Sequence, residues 1–369
     1  MPLKAQNKRC LRLVVFGVGL TTATFLVAEA GVRFYFFALQ GTTRVVDNRA
    51  RVLFLGAGVP FYASGPDKIR THFGEEFALK KKPGTYRIVS FGGSTIENYS
   101  LFQTAGKTFA TSLDHVLKTS STQPTEILNV GFAGYTTAHS LILLNLHVQS
   151  WEPDLLLYSH NFNDLTVMYY PNLVPDYSNM LSLPYFSQAR HPNPLASFLQ
   201  RFRLTEGLAR KLPTPIHYSA QTSFPYETAQ QLYRRNIESF LTIAKKNRIK
   251  TVLVTESILN NPSRFEATMK AQPYAEAATF PPYEKLVEHH RWFNNILKEY
   301  ADPGSVYVLD AASSLEEHPE YFSDFIHFNK EGLDAFAEMV GNYLAQHGLN
   351  KSDPTSKSKT KLRTARLKP

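Results

Sequence analysis

Residue types that can act together as a nucleophile, a base and an orienting carboxylate occur at separate places in this sequence. Ser94 follows an apolar run and two glycines, whereas Asp324 and His327 lie three residues apart toward the other end of the chain. A serine hydroxyl becomes a nucleophile when a base takes its proton, a carboxylate orients that base, and fixed donors stabilise the oxyanion that forms. Asn163 adds an amide that could be such a donor. The sequence therefore contains the parts of a nucleophilic serine site.

The elements that must position these residues are short apolar segments, which alternate with longer segments of helical periodicity. The short segments are rich in β-branched residues or leucine, as parallel strands covered on both faces should be. We predict strands at 87–91, 126–130, 154–159, 250–255 and 305–309. Helices are predicted at 109–117, 138–148, 228–246, 283–300 and 330–346. The alternation predicts an α/β fold with a doubly wound parallel sheet of five strands.

Each candidate residue comes after one of the predicted strands. Ser94 follows the first strand, residues 131–134 follow the second and Asn163 follows the third. Asp324 and His327 follow the fifth strand, just before the last helix. Because the carboxyl ends of parallel strands meet at one edge of a sheet, we expect these residues to share a single site at that edge.

Four segments, in this order along the chain, resemble the motifs of the SGNH hydrolases, also called GDSL-type esterases and lipases, and in particular their membrane-anchored members. The segments are Gly92-Gly93-Ser94-Thr95, Asn129-Val130-Gly131-Phe132-Ala133-Gly134, Asn161-Phe162-Asn163-Asp164 and Asp324-Phe325-Ile326-His327. The resemblance covers roughly residues 86–347. It implies a flavodoxin-like, three-layer α/β/α fold with a central parallel five-stranded sheet, and a serine hydrolase that needs no cofactor and no metal.

The resemblance also implies a role for each candidate residue. Ser94 would be the nucleophile, His327 the base that deprotonates it and Asp324 the residue that orients the base. The oxyanion hole would be formed by the N–H of Ser94, the N–H of Gly131 or Gly134, and Asn163 Nδ2. The implied reaction is acyl transfer through a covalent acyl-serine.

Three positions depart from the family pattern. Gly93 stands where an aspartate is usual, Thr95 where a leucine is usual and Asn161 where a glycine often opens the third motif. None of these changes removes a reacting atom. We expect Gly93, Thr95 and Asn161 to line the site together with His160, which ends the same strand but lacks an acidic residue at a fixed spacing.

Three functions are compatible with these residues. The first is an esterase, with O-acetyl esterases included, acting on an acylated cell-surface carbohydrate or a small ester. The second is an O-acyltransferase that uses the same three residues on a polysaccharide. The third is a noncatalytic carbohydrate-binding or assembly protein on the same scaffold.

The net charge of +9 resides at the two ends of the chain. The basic residues at the N-terminus are Lys4, Lys8, Arg9 and Arg12, and the segment 350–369 is also basic, so the region between them is close to neutral. A protein that binds a polyanion would gather lysine and arginine on its folded surface. We therefore expect no nucleic-acid partner.

Residues 13–28 form an uncharged apolar stretch directly after the basic N-terminus. A helix that continues to residue 39 would be long enough to span a membrane, with Glu29 and Arg33 spaced to pair. The preceding basic residues 1–12 would then remain in the cytoplasm and the rest of the chain would lie outside it. Ala28-Glu29-Ala30 leaves a cleaved signal peptide as the alternative. Both alternatives export the catalytic domain.

The remaining sequence divides around one catalytic domain at 84–349. Residues 40–83 are interpreted as a connecting segment and residues 350–369 as a basic, disordered tail. Two insertions, 167–227 and 260–282, interrupt the domain, and the first is rich in tyrosine, phenylalanine and proline. Its aromatic residues could stack on sugar rings, line an acyl pocket or pack the insertion onto the sheet. The sequence does not indicate an oligomeric state.

Overall fold

The computed structural model describes residues 2–40, 61–65, 67–170, 173–177, 179, 194–199, 202, 205, 224–271 and 280–352. The chain divides into two units, residues 1–49 with 187–217 and residues 50–186 with 218–369. All candidate residues of the site belong to the second unit.

The first unit contains one long helix, α1 (Pro2–Gln40), whose stretch Leu13–Tyr35 is long and apolar enough to cross a membrane. Its large apolar side chains are exposed, Phe16 by 71% and Val27 by 73% of their surface. Glu29 and Arg33 pair as predicted, with 2.7 Å between Oε1 and Nε. The helix is therefore a candidate membrane anchor or signal sequence.

The described part of the second unit begins with a small antiparallel sheet that the sequence analysis did not predict. Its strands are β1 (Phe61–Gly65), β2 (Lys68–Thr71) and β3 (Glu76–Ala78), in that order. They lie within the predicted connecting segment 40–83, of which residues 41–60 are outside the described part. These strands have three to five residues, and in β2 exposed and buried positions alternate, so there is no apolar run by which to predict them.

The main sheet has five parallel strands, as predicted. They are β4 (Tyr86–Gly92), β5 (Thr125–Asn129), β6 (Leu155–Ser159), β7 (Lys250–Val254) and β8 (Val306–Leu309). Their order across the sheet is β5-β4-β6-β7-β8, and every neighbouring pair is parallel. This is the flavodoxin-like order, in which the chain turns to the other side of the sheet after β5, so that β4 and β6 flank the switch point.

Helices cover both faces of this sheet. The helices of the unit are α2 (Ser94–Glu97), α3 (Tyr99–Ala105), α4 (Phe109–Ser120), α5 (Thr137–Leu146), α6 (Phe162–Tyr169), α8 (Tyr226–Lys246), α9 (Pro262–Ala271), α10 (Tyr283–Lys298), α11 (Ala312–Leu315) and α12 (Lys330–Gln346), while α7 (Pro194–Leu199) belongs to the first unit. Val89 shares a core with α5, α8 and α10, whereas Ile88 shares one with α4 and α12. Adjacent residues of one strand thus point into different layers, which confirms the three-layer fold.

Arg87, a fully buried residue of β4, connects the small sheet to the main sheet. Its guanidinium donates to the carbonyl oxygens of Ala78 (2.9 Å) and Leu79 (3.0 Å) and to Glu126 on β5 (2.6 and 2.9 Å). Because a buried cation is costly unless it is fully paired, this set of acceptors holds the end of β3 firmly against β4 and β5.

Parts of the predicted insertions and the tail are described. The start of insertion 167–227 continues α6 and its end enters α8, and α7 is also described. Insertion 260–282 contains α9. Most of the first insertion, residues 272–279 and the tail beyond residue 352 lie outside the described residues.

Candidate active site

The structure brings Ser94, His327 and Asp324 into one hydrogen-bonded chain. His327 Nε2 lies 2.8 Å from Ser94 Oγ, and His327 Nδ1 lies 2.7 Å from Asp324 Oδ2. Since the carboxylate accepts the proton of Nδ1, Nε2 is left to accept the serine proton. Two residues that are 233 positions apart in sequence are therefore in direct contact with the geometry that a general base requires.

The loop that carries His327 is held by the same aspartate. Asp324 Oδ1 accepts hydrogen bonds from the backbone N–H groups of Ile326 (2.8 Å) and His327 (2.7 Å). Burial acts to raise the pKa of Asp324, but its hydrogen bonds and the charge of His327 outweigh burial and hold that pKa below its usual value. Asp324 is thus ionised at neutral pH, as an orienting carboxylate must be.

The turn between β4 and α2 explains why two glycines precede Ser94. A Cβ on Gly92 would lie 2.3 Å from Ile96 Cγ1, and a Cβ on Gly93 would lie 2.3 Å from Asn163 Nδ2. A side chain at position 92 would therefore clash with Ile96, and one at position 93 would have to displace the Asn163 amide. The space that an aspartate would need at position 93 is therefore occupied by the amide of Asn163.

Asn163 lies near the start of α6 and is only partly buried. Its Nδ2 donates to the carbonyl oxygen of Tyr135 at 2.8 Å, in the loop after β5. An amide nitrogen carries two N–H donors, so this bond fixes the side chain and uses one of them. The contact joins the loops that follow β5 and β6.

The two candidate glycines of the loop after β5 differ in their surroundings. The Gly131 N–H donates to Asn129 Oδ1 at 3.0 Å, and a Cβ on Gly131 would lie 2.9 Å from Ile96 Cγ2. Gly131 thus allows close packing against α2, and its N–H is already engaged. Gly134 has φ +78°, a conformation that favours glycine. Of the two predicted donors, we retain Gly134.

Two of the predicted lining residues bond within the protein interior instead. His160 is buried with Nε2 2.6 Å from Ser140 Oγ, and burial lowers its pKa to about 3. Asn161 donates from Nδ2 to the His290 carbonyl oxygen and to Asn294 Oδ1, both at 2.8 Å. Within the described ranges, no group of three or more histidine, cysteine, aspartate or glutamate side chains is arranged to hold a metal ion.

Thr95, the residue after the serine, points to a carboxylate that the sequence analysis missed. Its Oγ1 donates to Glu256 Oε1 at 2.9 Å, and the backbone N–H of Phe162 donates to Glu256 Oε2 at 2.7 Å. Glu256 follows β7, the one strand after which no candidate was predicted. A charged residue directly after an apolar strand, at the same edge as the other candidates, is the signal that could have identified it.

Comparisons with known proteins find similarity among solved structures. No family model matches the chain, and no curated protein matches it. A GDSL-like lipase from Bacteroides thetaiotaomicron is 14% identical, with 70% of this chain and 88% of that chain covered and a TM-score of 0.40. The lipase/acylhydrolase from Enterococcus faecalis is 14% identical, with 71% and 96% covered and a TM-score of 0.43. The acetyl xylan esterase AlAXEase is 13% identical, with 70% and 99% covered and a TM-score of 0.40. Lipases and esterases thus recur among the similar structures.

Proposed function

We propose that this chain is a serine esterase that cleaves ester bonds through an acyl-serine intermediate. The observation that carries the proposal is the hydrogen-bonded chain from Ser94 Oγ through His327 to Asp324, with distances of 2.8 and 2.7 Å. A base placed within hydrogen-bond reach of a hydroxyl, and oriented by an ionised carboxylate, is the arrangement that activates serine.

The reaction proceeds in two halves. Ser94 Oγ attacks the ester carbonyl while His327 Nε2 takes the hydroxyl proton, and the tetrahedral intermediate collapses when His327 gives that proton to the departing alcohol. Water then attacks the acyl-serine as His327 takes one of its protons. The second intermediate collapses to the free acid and restores the Ser94 hydroxyl. Asp324 stays ionised and stabilises the imidazolium in both halves.

The proposed oxyanion donors are the N–H of Ser94, the N–H of Gly134 and the second N–H of Asn163 Nδ2. Ser94 is the first residue of α2, where backbone N–H groups have no partner inside the helix. The Asn163 amide lies against Gly93, next to the nucleophile. Donors that are fixed before the reaction stabilise the developing charge without reorganisation.

The proposed substrates are an acylated cell-surface carbohydrate or a small ester. The basic residues before the apolar stretch Leu13–Tyr35 support an orientation with the N-terminus in the cytoplasm and the catalytic unit outside. Transfer of the acyl group to a polysaccharide hydroxyl would use the same acyl-serine, because only the acceptor that reaches the intermediate differs.

Substitution of the nucleophile or the base tests the proposal. In the full-length protein in detergent, we expect Ser94→Ala and His327→Ala to lower kcat/KM for p-nitrophenyl acetate by about 10³-fold or more. Asn163→Ala should lower it by roughly 10²-fold, since one oxyanion donor is lost. Melting temperatures should change by only a few degrees.

The control is Ser100→Ala, which removes an exposed hydroxyl on α3, the helix that follows α2. A fluorophosphonate should label the wild type and the Ser100→Ala variant at Ser94 and leave Ser94→Ala unlabelled. Unchanged turnover in Ser94→Ala, or no labelling of the wild type, would contradict an esterase and favour a noncatalytic binding protein. Incubation with an acetylated glycan and an acceptor glycan separates hydrolysis, which releases acetate, from transfer, which yields acetylated acceptor.

A further inference from the structure

We propose that Glu256 is a positioning residue that holds the nucleophile turn and the proposed oxyanion donor Asn163 in fixed register. This inference rests on the proposed function, because it assigns a role at the same site. It concerns a residue outside the four family motifs.

Glu256 reaches across the sheet to make its contacts. It lies just after β7, and in the sheet order β7 is separated from β4 by β6. The side chain contacts the turn after β6 through the Phe162 N–H and the turn after β4 through the Thr95 hydroxyl. One planar carboxylate thus sets the distance between two turns that come from different strands.

Both contacts are one residue away from a group that the proposed mechanism uses. Thr95 follows Ser94, and Phe162 precedes Asn163. Because neighbouring residues share a rigid peptide unit, a shift of either turn would move the hydroxyl or the amide by a similar amount. Misplacement by about 1 Å can cost roughly 10²-fold in rate, so small shifts here are significant.

The backbone of Glu256 is fixed as well as its side chain. The Glu256 N–H donates to Asn294 Oδ1 at 3.2 Å, and Asn294 Nδ2 donates to the Glu256 carbonyl oxygen at 2.9 Å. Asn294 lies on α10 and also accepts from Asn161 at 2.8 Å. The carboxylate is therefore held in place by a helix that contributes no proposed catalytic group.

A purely structural role does not account well for a carboxylate at this place. Glu256 is only 6% exposed, and among the described residues it has no salt bridge with a lysine or arginine. Burial raises its pKa, and the hydrogen bonds from Phe162, Thr95 and the Asn161 backbone, together with the charge of His327, partly oppose that effect. A buried carboxyl without a lysine or arginine partner is costly, and an apolar residue of similar size is often more stabilising. Retention of the costly group is consistent with a demand for its two acceptor oxygens.

Three variants at the two ends of the contact test this role. Glu256→Ala removes both hydrogen bonds, and we expect kcat for p-nitrophenyl acetate to fall by roughly 10²-fold with KM changed less than about threefold. Thr95→Val removes one hydrogen bond in an isosteric side chain and should lower kcat by about tenfold. Glu256→Gln should retain at least about a third of kcat. Its side-chain oxygen can accept from the Phe162 N–H, and its amide can donate to the Thr95 hydroxyl, because a hydroxyl accepts as well as donates.

The matched control is Thr255→Val, which removes a hydroxyl at the end of the same strand. Thr255 Oγ1 donates to Asp310 at 2.8 Å and accepts from the Ala312 N–H at 2.9 Å, so its hydrogen bonds lead away from the site. We expect this variant to lower the melting temperature and leave kcat within about twofold of the wild type. The rate of fluorophosphonate labelling should follow kcat in every variant.

The outcomes separate this role from the proposed function. If Glu256→Ala and Thr95→Val both keep the wild-type kcat, the positioning role is overturned. The esterase is still supported in that case if Ser94→Ala turns over more slowly than the wild type. A Glu256→Gln variant as slow as Glu256→Ala would also overturn it, since positioning by hydrogen bonds predicts rescue. If Glu256→Ala does not fold, Thr95→Val decides, and wild-type kcat there counts against the proposal. Equal turnover by the wild type and Ser94→Ala would refute the esterase itself and the positioning role with it.

Discussion

At the scale of single residues, the glycine directly before the serine has a steric explanation. Gly93 leaves room for the amide of Asn163, because a Cβ at position 93 would lie only 2.3 Å from Asn163 Nδ2. Asn163 is held there by its hydrogen bond to the Tyr135 carbonyl oxygen. The glycine and the asparagine are therefore best understood as a pair, in which the small residue allows the donor to approach the nucleophile.

We expect Gly93→Ala to lower the activity more than the stability. The new Cβ must displace the Asn163 amide, which is the flexible end of a side chain, so the fold can adjust while the proposed donor moves. Loss of a donor predicts a fall in kcat of roughly 10²-fold with a melting temperature within a few degrees of the wild type. Gly65→Ala is the control, since a Cβ there meets nothing within 4 Å. A fully active Gly93→Ala variant would contradict the pairing of Gly93 with Asn163.

At the scale of secondary-structure elements, a buried aspartate joins the starts of α5 and α6. Asp164 accepts from the Thr137 N–H at 3.0 Å and from the Thr137 hydroxyl at 2.5 Å, and Asn236 on α8 donates to the same hydroxyl at 2.7 Å. The loop before α5 carries the proposed donor Gly134, and the start of α6 carries the proposed donor Asn163. Burial raises the pKa of Asp164 to about 7, although the hydrogen bonds from Thr137 act in the opposite direction.

This pKa predicts how Asp164 contributes to stability as the pH changes. The folded state keeps the Asp164 proton up to about pH 7, whereas the unfolded chain loses it near the ordinary value of 3.8. Between these values the folded state binds more protons, so this group makes the free energy of unfolding fall by up to about 1.4 kcal/mol per pH unit as the pH rises. Above about pH 7 its contribution no longer changes.

Asp164→Asn should remove this contribution, because the amide does not ionise. From pH 4.5 to pH 6.5, we expect the free energy of unfolding of the wild type to fall relative to that of Asp164→Asn. Both values are measured by urea unfolding in detergent. Asp67→Asn, at an exposed position, is the control for loss of an aspartate. A difference that stays constant with pH would show that Asp164 is ionised in the folded protein throughout this range.

At the scale of the whole molecule, the chain combines an exposed apolar helix with a separate α/β unit. The stretch Leu13–Tyr35 meets the length and composition of a membrane span, and it follows the basic N-terminal residues. Cys10, the only cysteine of the chain, precedes this stretch. A single thiol on one side of the span makes its orientation measurable without further engineering.

We expect a membrane-impermeant maleimide to label Cys10 only after the cells are permeabilised, because the basic residues retain the N-terminus in the cytoplasm. The protein should keep its full mass and remain in the membrane fraction after carbonate extraction. In a Cys10→Ser background, Lys118→Cys on the exposed surface of α4 should be labelled in intact cells. Labelling of Cys10 in intact cells would contradict the orientation, and a shorter protein without cysteine would indicate a cleaved signal peptide.

The sequence alone determined the parallel strands, half of the twelve α-helices described and the apolar N-terminal stretch, because each depends on local periodicity and composition. It also predicted a shared site for Ser94, His327, Asp324 and Asn163, since polar residues after apolar parallel strands gather at one edge of the sheet. The small antiparallel sheet escaped prediction because its strands are too short to show a period.

Only the tertiary structure decided which of these groups touch. The order β5-β4-β6-β7-β8 is a long-range property of packing, and it brings Glu256 to Thr95 across 161 residues and His327 to Ser94 across 233. The hydrogen bond from the Gly131 N–H to Asn129 Oδ1, on which our proposal of Gly134 as the donor rests, is likewise not revealed by spacing alone. Periodicity reports which face of an element is buried, but the partner of a buried polar atom is fixed only when distant segments pack together.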